Sequence, residues 1–232
     1  LSYISLGVPD LFDLTLNNQA GLYLDQNADH ALLVKNDGSL WSWGINNDGQ
    51  LGINSTTNSA LPTRIGIDRD WAQAEANFKG TVAIKKDGSL WHWGREPYFS
   101  QYVTTVPVLF SSSKDWVQTE ANGLCAYAIK KDGSLWSWGH SDMGALGLGS
   151  ATITASYPTR IGGDFDWSHV FAGGDHSFAI KKDGSLWAWG SSHYGELGTG
   201  LISSTSFKPS PVRVGSLNNW RTISSDGFQT LG

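Results

Sequence analysis

Histidines are the side chains of this sequence whose type and spacing could do chemistry most directly. His30 and His176 share an Asp-His context, and a metal site or general base there would need further histidines or carboxylates at ligand spacing. The other histidines occur at unrelated places, so we expect His30 and His176 to make structural hydrogen bonds. Serine-nucleophile, paired-histidine zinc and phosphate-loop motifs are not found in the sequence. These observations predict a non-enzymatic protein with no metal and no cofactor.

Lysines recur just before an Asp-Gly step and could form a basic ring that attracts an anionic partner. They are Lys35, Lys85/Lys86, Lys130/Lys131 and Lys181/Lys182. An aspartate follows each group and partly cancels its field, so solvated hairpin tips are the better interpretation. Because the net charge is −5, binding to nucleic acid is not expected.

Tryptophan is abundant, with 12 residues, and most of them form pairs separated by one residue. An exposed row of such rings could bind sugars or bases by stacking. Since the pairs recur at one fixed position, we instead predict that they form the packed core between repeated units. The paired residues are Trp41/Trp43, Trp91/Trp93, Trp136/Trp138 and Trp187/Trp189.

Four copies of one repeat organise the chain. The segments that align without gaps are Lys35–Gly44, Lys85–Gly94, Lys130–Gly139 and Lys181–Gly190. A second marker, an acid or amide followed by tryptophan, recurs at Trp71, Trp116, Trp167 and Trp220. A third marker, Gly-x-Leu-Gly, occurs at Gly49–Gly52, Gly144–Gly147 and Gly195–Gly198 but not in the second copy. Three markers in register predict one structural unit per copy.

Each copy has the pattern of a small antiparallel sheet. An Asp-Gly step between two apolar runs favours a β-hairpin with a type I′ turn, which needs positive φ at both central residues. Ala179 and Ile180 then belong to the strand before the turn, and Leu186 and Trp187 to the strand after it. The second strand is apolar on both sides, which indicates a sheet covered on both faces. We predict an all-β fold, a β-propeller of about 50-residue, four-stranded blades, with four repeats forming a partial or small ring.

The repeat resembles that of the regulator of chromosome condensation family, in which a Trp-Gly strand end is followed by a Gly-Gln-Leu-Gly loop and later by Ala-Gly-x-x-His-Ser-x-Ala. The best matches are Gly44–Gly52 and Ala172–Ile180, and the resemblance covers roughly residues 28–232. It implies a propeller, most often with seven blades, so the four repeats are part of a longer array or an unusually small ring. We predict an N-terminal extension or degenerate blade strand over 1–27, followed by blades near 36–84, 85–129, 130–180 and 181–232.

Two segments that depart from the repeat are the candidates for partner contact. The Gly-rich loop of the second copy is replaced by residues 95–110, and the fourth copy has a long insertion after Gly190. Aromatic side chains on loops held by a rigid scaffold are common binding anchors. The candidate residues are Tyr98, Phe99, Tyr102, His193, Tyr194 and Phe207.

A structural or interaction protein is the first function we expect. The low charge, the near-identical repeats and the polar loops resemble members of the family found in bacterial surface proteins and phage virions. The expected partners are proteins, including copies of the same chain or other virion or surface components. The expected location is a virion, the extracellular space or a cell surface, with the cytoplasm as the alternative.

The sequence is also compatible with two other classes of function. The resemblance also implies soluble regulators that bind a partner protein, either as a GTPase exchange factor or as an enzyme inhibitor. A carbohydrate-binding module that uses Tyr98, Phe99, Tyr102 and Tyr194 would instead bind a glycan. No apolar run of about 18 residues occurs, so insertion into a membrane is not expected.

Overall fold

The computed structural model describes residues 21–23, 29–95, 103–200, 206–225 and 230–231. Within these ranges the regular elements are all strands, which confirms the predicted all-β class. A helix of the length and apolarity needed to cross a membrane does not occur in this part of the chain.

Four four-stranded antiparallel sheets follow one another along the chain, and a two-stranded sheet comes last. In each sheet, strands that are hydrogen-bonded neighbours are also neighbours in sequence. The first sheet contains β1 (Gly21–Tyr23), β2 (His30–Val34), β3 (Leu40–Gly44) and β4 (Ser59–Arg64). The second contains β5 (Trp71–Ala76), β6 (Gly80–Lys85), β7 (Leu90–Arg95) and β8 (Val103–Ser111).

The remaining sheets repeat this plan. The third contains β9 (Trp116–Asn122), β10 (Cys125–Lys130), β11 (Leu135–Ser141) and β12 (Ile153–Arg160). The fourth contains β13 (Trp167–Ala172), β14 (His176–Lys181), β15 (Leu186–Ser191) and β16 (Phe207–Val214). The last contains β17 (Ser224–Ser225) and β18 (Thr230–Leu231). Each four-stranded sheet has the strand count and order of a propeller blade.

The Asp-Gly turns differ from the predicted type I′. In the second sheet, the Lys85 N–H donates to the Ser89 carbonyl and the Gly88 N–H donates to the Lys85 carbonyl, so the loop has three residues. Gly88 has a φ of 83°, whereas Asn54 is the only non-glycine residue with positive φ in the described ranges. The turn is therefore a three-residue hairpin loop that ends in a left-handed glycine, and the type I′ prediction was wrong because only one central residue has positive φ.

A short chain of hydrogen bonds fixes each of these turns. The Asp87 carboxylate accepts from the Ser89 N–H at 3.0 Å and from its hydroxyl at 2.6 Å, and the hydroxyl accepts from the Trp91 indole at 2.9 Å. The same relay occurs at Asp37/Ser39/Trp41, Asp132/Ser134/Trp136 and Asp183/Ser185/Trp187. The first tryptophan of each pair is thus tied to its own turn.

The turn of each sheet also contacts the start of the next sheet. The Gly38 carbonyl accepts a hydrogen bond from the Trp71 N–H at 3.1 Å. A Cβ at Gly38 would lie only 2.0 Å from the Arg69 carbonyl oxygen, so a glycine is required for this close approach. The equivalent bonds run from Trp116 to Gly88, from Trp167 to Gly133 and from Trp220 to Gly184. The sequence markers at the turn and at the Asp-Trp step are therefore two halves of one contact between sheets.

Side-chain amides link the first strands of neighbouring sheets. Gln73 donates to the Thr119 carbonyl at 2.7 Å and accepts from the Thr119 N–H at 3.1 Å. Gln118 makes the same pair of bonds with Val170, at 3.0 and 3.2 Å. Each glutamine satisfies both backbone groups of a residue on the next strand, as a neighbouring strand would. No local motif in the sequence indicates this role for the two glutamines.

The hydrophobic core lies between sheets. Leu32 and Leu40 of the first sheet pack with Trp71, Ala83 and Trp93 of the second. All six residues of β6 are buried, as expected for a strand covered on both faces. The described sheets are not closed into a ring, so they form an open array of stacked blades and not a closed four-bladed ring.

Candidate partner-binding face

Antiparallel strands divide the connections of the molecule between two opposite ends of the sheets. We call one end the turn face, which carries the four Asp-Gly turns and the links between sheets. The other end is the loop face, which carries the hairpin tips after β5, β9 and β13, the longer connections after β3 and β11, and the described part of the connection after β15. The tips after β5 and β9 touch, because the Phe78 N–H donates to the Gly123 carbonyl at 3.2 Å.

In the second, third and fourth sheets, the second tryptophan of the pair packs against the preceding sheet. The Trp93 indole donates to the Gln50 carbonyl at 2.9 Å, and the Trp189 indole donates to the Ala145 carbonyl at 2.6 Å. Both acceptors lie at the second position of a Gly-x-Leu-Gly loop. The second copy lacks that loop, and Trp138 packs on Phe110 instead, with ring centroids 5.6 Å apart.

The paired tryptophans differ in burial. Trp93, Trp138 and Trp189 are buried, whereas Trp43 and the first members Trp41, Trp91, Trp136 and Trp187 are half-buried. The first members are held by the serine of their own turn. The rings therefore do not form one open aromatic platform.

The two histidines in the Asp-His context are also internal. Nε2 of His30 lies 2.9 Å from Oγ1 of Thr81 in the next sheet, and Thr81 donates to the Gln50 carbonyl. Burial lowers the pKa of His30 to about 4, so the ring is neutral near pH 7. His176 is buried and its ring meets Phe178 edge-on at 5.6 Å. The third and fourth sheets are joined differently at this position. The Ser177 hydroxyl donates to the Tyr127 hydroxyl, and the Tyr127 hydroxyl donates to the Ala145 carbonyl.

One lysine of each pair is a structural cation and not a free charge. The Lys85 ammonium lies 4.8 Å from both the Trp71 and the Trp91 ring centroids, and 2.6 and 3.1 Å from carboxylate oxygens of Asp68 and Asp70. Burial disfavours its charged form, but the two carboxylates outweigh burial and raise the pKa of Lys85. The Lys130 and Lys181 ammonium groups likewise each contact two tryptophan rings.

The turn face pairs other charges in the same way. Arg69 lies 2.7 Å from Asp37, and Lys114 lies 2.8 Å from Asp87. The hydrogen bond from Lys114, followed by those from Ser89, lowers the pKa of the Asp87 carboxyl. Charges on the turn face are thus paired, which argues against a basic ring. The interpretation as solvated tips holds for the exposed lysines Lys86, Lys131 and Lys182, but it was wrong for Lys85, which is buried between two rings.

The six predicted contact residues fall in different places. Tyr98, Phe99 and Tyr102 lie outside the described residues. His193 is half-buried, Tyr194 is 74% exposed, and their ring centroids are 6.5 Å apart. Phe207 is exposed at the start of β16 and pairs in register with Ser191, two residues before His193. The structure therefore places His193, Tyr194 and Phe207 near one another on the loop face, and their role in binding stays a prediction.

A cavity of about 350 Å³, which no sequence motif indicates, opens on the loop face. Its lining comes from the hairpin tips after β5, β9 and β13 and from the loop after β11. The lining residues include Phe78, Leu124, Cys125, His140, Asp142 and Asp175. Such a volume is in the range of ligand pockets, which is about 300–1,000 Å³.

Cys125 in the lining of the cavity is not an activated nucleophile. Its Sγ lies 3.0 Å from the His140 carbonyl, and burial raises the pKa of the thiol to about 12. A reactive cysteine needs the opposite shift, because the thiolate is the nucleophile. Among the described residues, no group of three or more His, Cys, Asp or Glu side chains is placed to hold a metal ion.

The stacked four-stranded sheets, joined through repeated tryptophan and glycine contacts, define a propeller-repeat protein. The regulator of chromosome condensation (RCC1) repeat matches residues 37–84, 132–180 and 183–230, and a second form of the repeat matches residues 167–196. The chain belongs to the regulator of chromosome condensation repeat family, which confirms the resemblance seen in the sequence.

Solved structures of the same fold extend further than this chain. The structure of human WBSCR16 superposes with a TM-score of 0.76 at 23% identity, over 89% of this chain and 55% of that chain. Prp20p from Saccharomyces cerevisiae superposes with a TM-score of 0.74 at 21% identity, over 90% of this chain and 54% of that chain. The chain thus spans about half the length of these proteins, and at this identity the likeness concerns the fold.

Proposed function

We propose that this chain is a non-enzymatic scaffold that binds partner proteins through its loop face. The observation that carries the proposal is the cavity of about 350 Å³ formed by loop-face tips, beside exposed Phe78 and Leu124. The groups that could do chemistry elsewhere, His30 and Lys85, are held in internal contacts. A rigid array of sheets that presents variable loops is suited to recognition.

The setting that we propose is a structural or adhesive component of a virion or cell surface. Its support comes from the sequence, which combines low charge with near-identical repeats and polar loops. A glycan remains a second class of ligand in this setting. Tyr194, exposed on the loop face, is the described residue that would contact a sugar ring.

The alternative is a soluble regulator of a partner protein, either as a GTPase exchange factor or as an enzyme inhibitor. One observation favours this alternative: Prp20p, which has the same fold, binds Gsp1p and histones. The two alternatives differ in the partner they require. A virion or surface component should co-purify with structural proteins or with copies of itself, and a regulator should co-purify with a GTPase or another enzyme.

Affinity purification of tagged full-length protein from its natural source tests the proposal. We expect the double substitution Phe78→Ser and Leu124→Ser to reduce recovery of the specific partner, because both side chains flank the cavity. Ile67→Ser, on an exposed position of the turn face, is the matched control and should leave recovery unchanged. Equal recovery with the double variant and the wild type would contradict binding through the loop face.

A further inference from the structure

The cavity on the loop face combines an apolar wall with carboxylates. We propose that it receives a basic side chain, arginine in particular, from an apolar segment of the partner protein. This inference rests on the proposed function and names the chemistry that the partner must carry.

The apolar wall is preformed. Phe78 is 43% exposed and Leu124 is 36% exposed, and both stand at hairpin tips that lie side by side. The hydrogen bond from the Phe78 N–H to the Gly123 carbonyl joins the two tips. An aromatic face in this position offers a guanidinium group a stacking surface and offers an apolar neighbour a contact.

The charged part of the lining is negative. Asp142 and Asp175 are both exposed, and the described lining contains no lysine or arginine. Nε2 of His140 lies 3.0 Å from a carboxylate oxygen of Asp142, and Nδ1 of the same ring lies 2.8 Å from Oγ1 of Thr154. These contacts position Asp142 while most of its side chain stays open to solvent, at 71% exposure.

Asp175 is positioned by the backbone. Its carbonyl accepts the Ser191 N–H at 2.8 Å, which fixes the tip after β13 against β15. The carboxylates therefore stand on two separate loops, and both border one cavity. The Asp142 carboxylate is held by His140, and the Asp175 carboxylate stands on a tip fixed through its backbone. Two such acceptors beside an aromatic ring match the planar set of donors and the weak hydration of a guanidinium group.

The chain makes contacts of this type within itself. Arg95 lies 2.7 Å from the Asp48 carboxylate on the loop face, and the Arg160 guanidinium lies 3.9 Å from the Phe165 ring centroid. The corresponding space between the second and third sheets is lined in part by Arg95 and has a volume of only about 20 Å³. The large cavity combines a ring with carboxylates, and the described part of its lining contains no arginine. The Lys79 ammonium, which lies outside the lining at 5.4 Å from the Phe78 ring centroid, shows that this ring accepts a cation.

Binding of two matched peptides to the full chain tests the inference. The probe is the peptide Gly-Leu-Arg-Leu-Gly, and the control replaces its arginine with citrulline, which has the same shape and no charge. Shifts of the Gly123 and Gly174 amide signals, followed by nuclear magnetic resonance, report occupation of the cavity. We expect the arginine peptide to bind about tenfold more tightly than the citrulline peptide, because a charge-assisted hydrogen bond is lost in the control.

Conservative substitutions locate the effect. Asp142→Asn and Asp175→Asn should each weaken binding of the arginine peptide severalfold and leave binding of the citrulline peptide unchanged. Asp29→Asn is the matched control, because Asp29 occupies the repeat position of Asp175, with its carbonyl bound by the Ile45 N–H, but does not line the cavity. It should bind the arginine peptide like the wild type.

Three results would overturn the inference. They are equal affinities for the two peptides, an effect of Asp29→Asn as large as that of Asp175→Asn, and no shift at Gly123 or Gly174 with the arginine peptide at about 10 mM. The affinity purification with Phe78→Ser and Leu124→Ser is independent of charge. A partner lost in that experiment, together with equal binding of both peptides, would keep the loop face as the binding surface and reject the basic side chain.

Discussion

A lysine held between two indole rings and two carboxylates shows how single residues of this repeat are used. In the sequence the lysine pairs look alike, yet Lys85 is buried and Lys86 is exposed. The difference arises because Lys85 ends β6 opposite Trp71, while Lys86 begins the turn. One residue of separation thus decides whether the cation is part of the core or part of the surface.

Replacing Lys85 with methionine should lower the free energy of unfolding by about 1–2 kcal/mol. The substitution keeps the apolar stem but removes the ion pairs with the half-exposed Asp68 and Asp70 and the cation from between the rings. Lys86→Met should change stability by less than about 0.5 kcal/mol. Urea denaturation of both variants measures the difference, and equal effects would contradict a structural role for Lys85.

His30 should make stability depend on pH. Its pKa falls from an ordinary value of 6.5 to about 4 in the folded chain because of burial. Below pH 6.5 the unfolded chain binds a proton at His30 that the folded chain does not, so stability falls as the pH drops from 6.5 to 4. The loss should reach about 3 kcal/mol.

The substitution His30→Gln isolates this effect. Urea midpoints measured between pH 4 and pH 6.5 should vary less in the variant than in the wild type, because the glutamine does not titrate. His193→Gln, on the loop after β15, is the control and should keep the wild-type dependence. An unchanged slope in His30→Gln would show that another group causes it.

At the scale of elements, the Gly-x-Leu-Gly loop forms the surface on which the second tryptophan of the next sheet packs. A Cβ on Gly52 would lie 2.6 Å from Nε1 of Trp93, and Gly52 has a φ of 68°. Gly66 has a similar φ of 56° but no atom within 4 Å of such a Cβ. The two glycines therefore separate the cost of backbone strain from the cost of a blocked contact.

We expect Gly66→Ala to cost about 1 kcal/mol of unfolding free energy, from left-handed backbone strain alone. Gly52→Ala should cost about 2–4 kcal/mol, because the methyl group also displaces the Trp93 ring. Chemical denaturation measures both values. Equal costs would mean that the loop and the ring do not form a tight contact.

The strands could be predicted well from the sequence, whereas the turn type and the contacts between sheets could not. The strands around Ile180 and Leu186 were predicted because the Asp-Gly step and the apolar runs are local signals. The predicted turn type was wrong because the Asp183 carboxylate accepts a hydrogen bond from the Ser185 N–H, which leaves Gly184 as the left-handed residue of a longer loop. Gln73 was missed because its partner Thr119 lies in the next sheet.

At the scale of the whole molecule, the cavity could not be predicted from the sequence. Phe78, Leu124, Asp142 and Asp175 lie on four different loops and share no motif. They meet only because successive sheets stack with their loop ends on the same side. The repeat determines this alignment, whereas the side chains that it brings together vary from copy to copy.

The most direct test of the account is photo-crosslinking of the full protein in its natural source. A benzophenone amino acid would replace Phe78 or Tyr194 on the loop face, or Ile67 or Leu217 at exposed positions of the turn face. The account predicts that a specific partner protein is captured from positions 78 and 194 and not from 67 and 217. Capture from the turn-face positions alone would contradict it.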